Sequence, residues 1–361
     1  MPVSIKIKDM ESRRAFLKKL AAVPLIASFP NLLSACKGRN RAEDLIHSPL
    51  DRTQPAFEPA YVELHRTGEL KRRGEALWER MRSCDICPRD CKINRIEGER
   101  GDCKASSRLE ISTFGPHFGE ERELVGRNGS GTIFFTNCSL LCVFCINYDV
   151  SQLGRGQTYE ISELANMMLS LQRRGCHNIN VVTPTHYAPH IILALDIAAE
   201  QGLRLPIVYN THGWEKVDVL KVLDGIVNIY LPDFKYGCPE KAPIYSLDAF
   251  NYVEVTQKAH LEIYRQVGTA DVDERTGLML KGLMIRHLVM PNDVGCTAKV
   301  MQWIADNLPK DTYVNLMAQY TPMFKARNFP EINRRLFRHE YAAAVESARK
   351  AGLTNVRTQG V

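Results

Sequence analysis

The stretch Phe134–Asn147, FFTNCSLLCVFCIN, decides how the rest of the chain is read. It carries Cys138, Cys142 and Cys145 in the spacing C-x3-C-x2-C, with Phe144 directly before the last cysteine. Three thiolates on one short loop can hold three corners of a [4Fe-4S] cube. The remaining iron then has no ligand from this loop, and an open coordination position marks chemistry rather than scaffolding. The apolar run Thr132–Phe135 predicts a buried strand, so the cysteines fall where that strand ends. In strand-helix barrels, sites gather at the carboxyl ends of strands. A zinc site, or simply buried thiols, is the competing reading of the same residues.

Outward from this loop, strand-like and helix-like stretches alternate. Strands are expected at Gly131–Asn137, Asn178–Pro184, Leu205–Thr211, Val227–Phe234, Leu283–Pro291 and Tyr313–Tyr320. Amphipathic helices are expected at Ile161–Arg174 (with Ser162 as N-cap), Ala188–Gly202, Lys216–Asp224, Asn251–Gly268, Ala298–Leu308 and Phe337–Gly352. This alternation implies an α/β fold with a parallel sheet and crossover helices. Residues 41–83 are charged, with a helix expected near Leu64–Met81.

Several expected strand ends carry polar residues that a core does not need. They are Thr183, Thr185 and His186 after the second strand, Asn210 in YNTHG, Asp233 and Lys235 in LPDFKY, Arg286-His287, Asn315, and Gln319-Tyr320-Thr321. Asp233 and Lys235 point the same way on a strand and could simply pair. Arg286 and His287 alternate, so only one can face a barrel interior. A polar Asn at a strand end can hydrogen-bond a ribose hydroxyl.

Of the 11 cysteines, four more cluster in CDICPRDCKINRIEGERGDC: Cys84, Cys87, Cys91 and Cys103. Four thiolates in so short a segment fit a closed zinc site or a second iron-sulfur cluster, and disulfides stay open. Pro88, Gly98 and Gly101 mark the turns. Cys176, Cys238 and Cys296 are scattered and read as buried thiols, and no even disulfide framework is expected.

The cysteine loop after a first strand resembles the signature of the radical S-adenosylmethionine (SAM) superfamily. With NINVVTPTH, YNTHG, LPDFKY, IRHLVMP and MAQYTP it resembles the subgroup similar to pyruvate formate-lyase activating enzyme, over about residues 80–350. The resemblance implies a partial (β/α)6 barrel over 126–361, preceded by a Cys-rich metal-binding region at 84–125. It implies that Cys138, Cys142 and Cys145 hold a [4Fe-4S] cluster whose open iron chelates SAM. Reductive cleavage then gives a 5'-deoxyadenosyl radical that abstracts hydrogen. Phe144 and Asn210 would contact the adenosyl part and Thr183 the methionine part. The implied substrate is a protein glycine, and the implied partner a low-potential electron donor. The Gly-Gly-Glu-type motif that binds the SAM amino group in the superfamily is absent, with Thr183, Thr185 and His186 in its place. The rival function is a membrane-tethered iron-sulfur electron carrier or sensor that does not cleave SAM.

The amino terminus reads as an address. Ser12–Lys18, SRRAFLK, resembles a twin-arginine export signal, and Leu33-Ser34-Ala35-Cys36 resembles a lipobox with Cys36 as the lipidated residue. Residues 1–36 are thus expected to be a signal and 37–83 a linker with a helical extension. Export and a lipid anchor at the membrane follow, with a cytoplasmic protein as the alternative. The formal net charge of +6 resides in residues 1–40, and the remainder of the 361 residues is formally neutral. A neutral body offers no electrostatic basis for binding nucleic acid.

Overall fold

The expected strands form and lie side by side. The computed structural model describes residues 57–360. The signal at 1–36, the lipidation candidate Cys36 and the first part of 37–83 lie outside the described residues. Ten strands build the sheet: β1 Leu109–His117, β2 Ser130–Phe135, β3 Gln157–Tyr159, β4 Ile179–Val182, β5 Ile207–Thr211, β6 Ile229–Pro232, β7 Asp271–Val272, β8 Met279–Leu288, β9 Tyr313–Met317 and β10 Val356–Arg357. Their order is β10-β9-β8-β6-β5-β4-β2-β1-β3, with β7 on β8.

The run from β2 through β4, β5, β6, β8 and β9 to β10 is parallel throughout. Parallel neighbours need crossovers, and helices supply them: Ile161–Arg173, Ala188–Glu200, Val217–Val222, Tyr252–Val267 and Thr297–Asn307, followed by Arg338–Lys350. Both faces of such strands are covered, which is why β4, β5 and β6 read as near-continuous apolar runs. The main core joins Ile133, Val181, Tyr209 and Ile285 of the sheet to Met168, Ile192, Leu220, Ile263 and Met301 of the helices, all buried.

Four expectations are corrected. The segment 84–125 is not only a cysteine region, because its second half forms β1, antiparallel to β2 and β3. The expected helix over Leu64–Met81 is two, Tyr61–Arg66 and Glu69–Glu79, broken at Gly68 in the left-handed region (φ 73°). The helix at Ile161 is capped by Glu160 rather than Ser162, with the Glu160 N–H donating to Glu163 at 2.7 Å in a capping box. Cys238 and Cys296 are joined in a disulfide rather than free. No described helix is long and apolar enough to cross a membrane.

Candidate functional site

The carboxyl ends of the parallel strands surround one cavity of about 280 Å³, near the lower end of the ~300–1,000 Å³ usual for ligand pockets. Its lining includes Cys138, Cys142, Phe144 and Cys145 from the loop after β2, and Thr183 after β4. Asn210 of β5, Asp233 and Lys235 beyond β6, Arg286 of β8 and Tyr320 beyond β9 complete it. Every residue singled out beside the three cysteines as a cofactor contact, Phe144, Thr183 and Asn210, therefore meets them in the same space.

The loop reaches this shape at a cost. Asn137 (φ 70°) and Leu141 (φ 55°) occupy the left-handed region beside Cys138 and Cys142, and so does Thr183 (φ 57°) across the cavity. Non-glycine residues there carry strain of order 1–3 kcal/mol each, which persists where function requires the geometry. The Leu140 N–H lies 3.4 Å from the Cys138 sulfur, and the Ser246 hydroxyl donates to the Cys142 sulfur at 3.0 Å. Phe144, Trp214, Tyr236, Tyr245 and Tyr320 form an apolar shell around the thiols. Burial in that shell pushes the Cys138 thiol up to about 12. It pushes Cys142 up to about 11, against the pull of Lys235 and Ser246. A bare thiolate is disfavoured here.

The same cavity holds a largely shielded charged network. Arg286 Nε donates to Asp233 at 3.0 Å, its Nη1 lies 3.4 Å from Glu120, and its Nη2 donates to the Asn210 carbonyl oxygen. Lys235 Nζ completes the pairing on the other Asp233 oxygen. Burial would raise the Asp233 carboxyl, but Lys235 and Arg286 outweigh it and hold the group below the usual carboxylate range. Glu120 goes the other way, with burial raising it more than Arg286 lowers it. Asn210 thus arrives in the cavity with its oxygen already engaged by Arg286. Below this network, Glu215 is fully buried and accepts from Thr185 at 2.6 Å and from Thr211, with its second oxygen unpartnered. Burial pushes its carboxyl up to about 7. His212 bridges towards the loop through the Ser139 hydroxyl at 2.9 Å, and burial together with Lys235 pushes it down to about 3.

The alternation at Arg286-His287 resolves as the pleat requires. Arg286 faces the cavity, while His287 is buried away from it against the Phe234 carbonyl (2.6 Å) and Thr297 (2.9 Å). His186 does not reach the cavity; its Nε2 binds the Thr136 carbonyl at 2.8 Å. Asn315 turns to Glu121 at 2.8 Å. Glu120, Glu215, Ser139 and Ser246 are the site residues that the sequence does not announce, since no spacing rule ties them to the cysteines.

Cys84, Cys87 and Cys103 are buried and Cys91 is half-buried, and Cys84 and Cys91 pack with Met81, Ile86 and Ile93. Gly101 passes so close that an added Cβ would sit 3.1 Å from the Cys91 sulfur. Four thiols with a backbone cradle fit a metal. Among the described residues, no three of these sulfurs lie within 4.8 Å of one another; only Cys238, Glu240 and Cys296 do so.

Fold and site together define an α/β protein with a cysteine-lined cavity at the carboxyl edge of a largely parallel sheet. No model of a known protein family matches the chain. Over 282 residues it is 36% identical to "Uncharacterized protein MJ0674" of Methanocaldococcus jannaschii, an alignment covering 75% of this chain and 76% of that protein. The chain belongs to the family of that archaeal protein.

Proposed function

We propose that the protein is a radical SAM enzyme, an oxidoreductase in which Cys138, Cys142 and Cys145 hold a [4Fe-4S] cluster. The observation that carries this reading is the meeting of all three cysteines with Phe144, Thr183 and Asn210 in one cavity at the strand ends. The six parallel strands β2, β4, β5, β6, β8 and β9, each followed by a helix, support the finer reading of the fold as a partial (β/α)6 radical SAM barrel. When bound, the cluster and SAM would supply reductive cleavage and hydrogen abstraction.

The chain's own groups have separable tasks. Leu140 N–H and the Ser246 hydroxyl stabilise thiolate charge, a lever on cluster potential. Phe144, Tyr236 and Tyr320 exclude water. The Asp233–Lys235–Arg286–Glu120 network fixes Asn210 and presents paired charges to a zwitterionic ligand. A protein glycine as the substrate, and a low-potential electron donor as the partner, rest on the resemblance alone. Cys84, Cys87, Cys91 and Cys103 would hold a second metal, either an iron-sulfur cluster or zinc.

A second reading, an exported, lipid-anchored iron-sulfur carrier without SAM cleavage, is favoured by one observation. The Cys238–Cys296 disulfide suits an oxidising compartment, where the twin-arginine motif and Cys36 would place the chain. Anaerobically reconstituted, reduced protein separates the two. The enzyme reading expects the electron paramagnetic resonance signal to change on adding SAM, and the change to vanish in Cys142→Ala. Signals indifferent to SAM favour the carrier.

A further inference from the structure

The four-cysteine segment and the three-cysteine loop are distant in sequence yet share one side chain. Arg89 lies in the turn between Cys87 and Cys91. Its guanidinium crosses to the other site. There Nε donates to the Ser139 carbonyl at 2.8 Å, Nη1 to the Leu247 carbonyl, and Nη2 reaches the Ser246 carbonyl at 3.5 Å. Ser139 directly follows Cys138, and Ser246 is the residue whose hydroxyl holds the Cys142 sulfur. The guanidinium also lies 5.0 Å from the centre of the Trp214 ring.

The charge of Arg89 is poorly matched by its surroundings. Its side chain is 8% exposed, and its carboxylate neighbour, Asp102, stands 3.9 Å away and is 56% exposed. A buried cation without a close counter-charge is expensive. Thiolates bound to metal on both sides would supply the missing negative charge. Arg95 repeats the pattern. It is fully buried, with Nη1 3.9 Å from the Cys84 sulfur and 2.8 Å from the His186 carbonyl. His186 in turn holds the carbonyl of Thr136, two residues before Cys138.

We propose that Arg89 is a positioning residue through which the four-cysteine segment sets the three-cysteine loop. Metal at the tetrad fixes the Cys87–Cys91 turn, the turn fixes Arg89, and Arg89 holds the Ser139 and Ser246 carbonyls so that Cys138 and Cys142 face the cavity as ligands. The proposal rests on both groups being metal sites, and the test is chosen to tell the two failures apart. The full chain is reconstituted anaerobically with iron and sulfide, and iron release to an excess of chelator is followed by absorbance. The kinetic phase missing in Cys142→Ala belongs to the loop, and the phase missing in Cys87→Ala to the tetrad.

In Arg89→Ala the loop phase should accelerate at least ~10-fold, the scale of a lost hydrogen bond to a charged group, while the tetrad still loads with iron. Arg89→Lys keeps the charge but loses the planar fork, and should give an intermediate rate. If Arg89→Ala does not fold, Arg89→Lys carries the test, with at least a ~3-fold acceleration expected on the same grounds. A loop phase at the wild-type rate in a folded Arg89 variant overturns the proposal. If Cys142→Ala removes no phase at all, the loop is not a metal site, and the proposal falls with that reading rather than alone.

Discussion

Asp233 is the residue on which the cavity's charges balance. It takes Lys235 on one oxygen and Arg286 on the other, in a setting where each cation is largely shielded from solvent, 15–16% exposed. Removing one partner of a buried ion pair is costly because the others stay behind uncompensated. Asp233→Ala should therefore lose about 3–5 kcal/mol in urea unfolding, against a much smaller loss for Glu254→Ala, which breaks only the exposed helix pair with Lys258. Glu215 offers a pH test. Its folded pKa of about 7 lies above the ordinary carboxyl value, so the folded state holds its proton longer than the unfolded chain does. Stability from this group is full below the unfolded pKa and is lost as pH rises through about 7. Glu215→Gln should flatten that slope, with a difference of about 3 kcal/mol at most between pH 4.5 and 8. The cysteines were legible because their short spacing is written in the sequence itself. Glu120, Glu215 and Ser246 were not, because their roles come from tertiary neighbours that no local pattern encodes.

The strands place the chemistry, and their ends need special backbone. Gly213, just beyond β5, has φ 80°, and a Cβ there would lie 2.0 Å from the Asp233 carbonyl oxygen. Gly213→Ala must push the β5 and β6 ends apart, and so should cost at least ~2 kcal/mol in denaturant unfolding. An equal midpoint for variant and parent would contradict the close approach. At this scale the sequence served well: each expected parallel strand exists, within a few residues of its expected limits. The antiparallel β1 escaped because Gly115 and Pro116 interrupt its alternation, and its register with β2 shifts between Ile111 and Thr113. Helix ends were less legible than helix bodies. Glu160 and Glu163 close a reciprocal cap that a nearby serine only mimics.

Across the whole molecule, the Cys238–Cys296 bond closes a 58-residue separation between the loops after β6 and β8. Those are the loops next to Asp233, Lys235 and Arg286. A crosslink of that span stabilises by about 4 kcal/mol in the chain-entropy account. Cys238→Ser should therefore lower the melting temperature, and dithiothreitol should lower that of the parent but not of the variant. Sequence alone could not pair these cysteines, since nothing local distinguishes Cys238 or Cys296 from Cys176. Compartment is tested separately: replacing Arg13 and Arg14 together by Lys should retain the protein in the cytoplasmic fraction if the twin-arginine motif directs export. The most direct measurement of the central claim is 5'-deoxyadenosine formed by the reconstituted, dithionite-reduced protein incubated with SAM without oxygen. The account predicts accumulation that requires reductant and disappears in Cys142→Ala. A protein with its clusters loaded and reducible that forms no 5'-deoxyadenosine would contradict it.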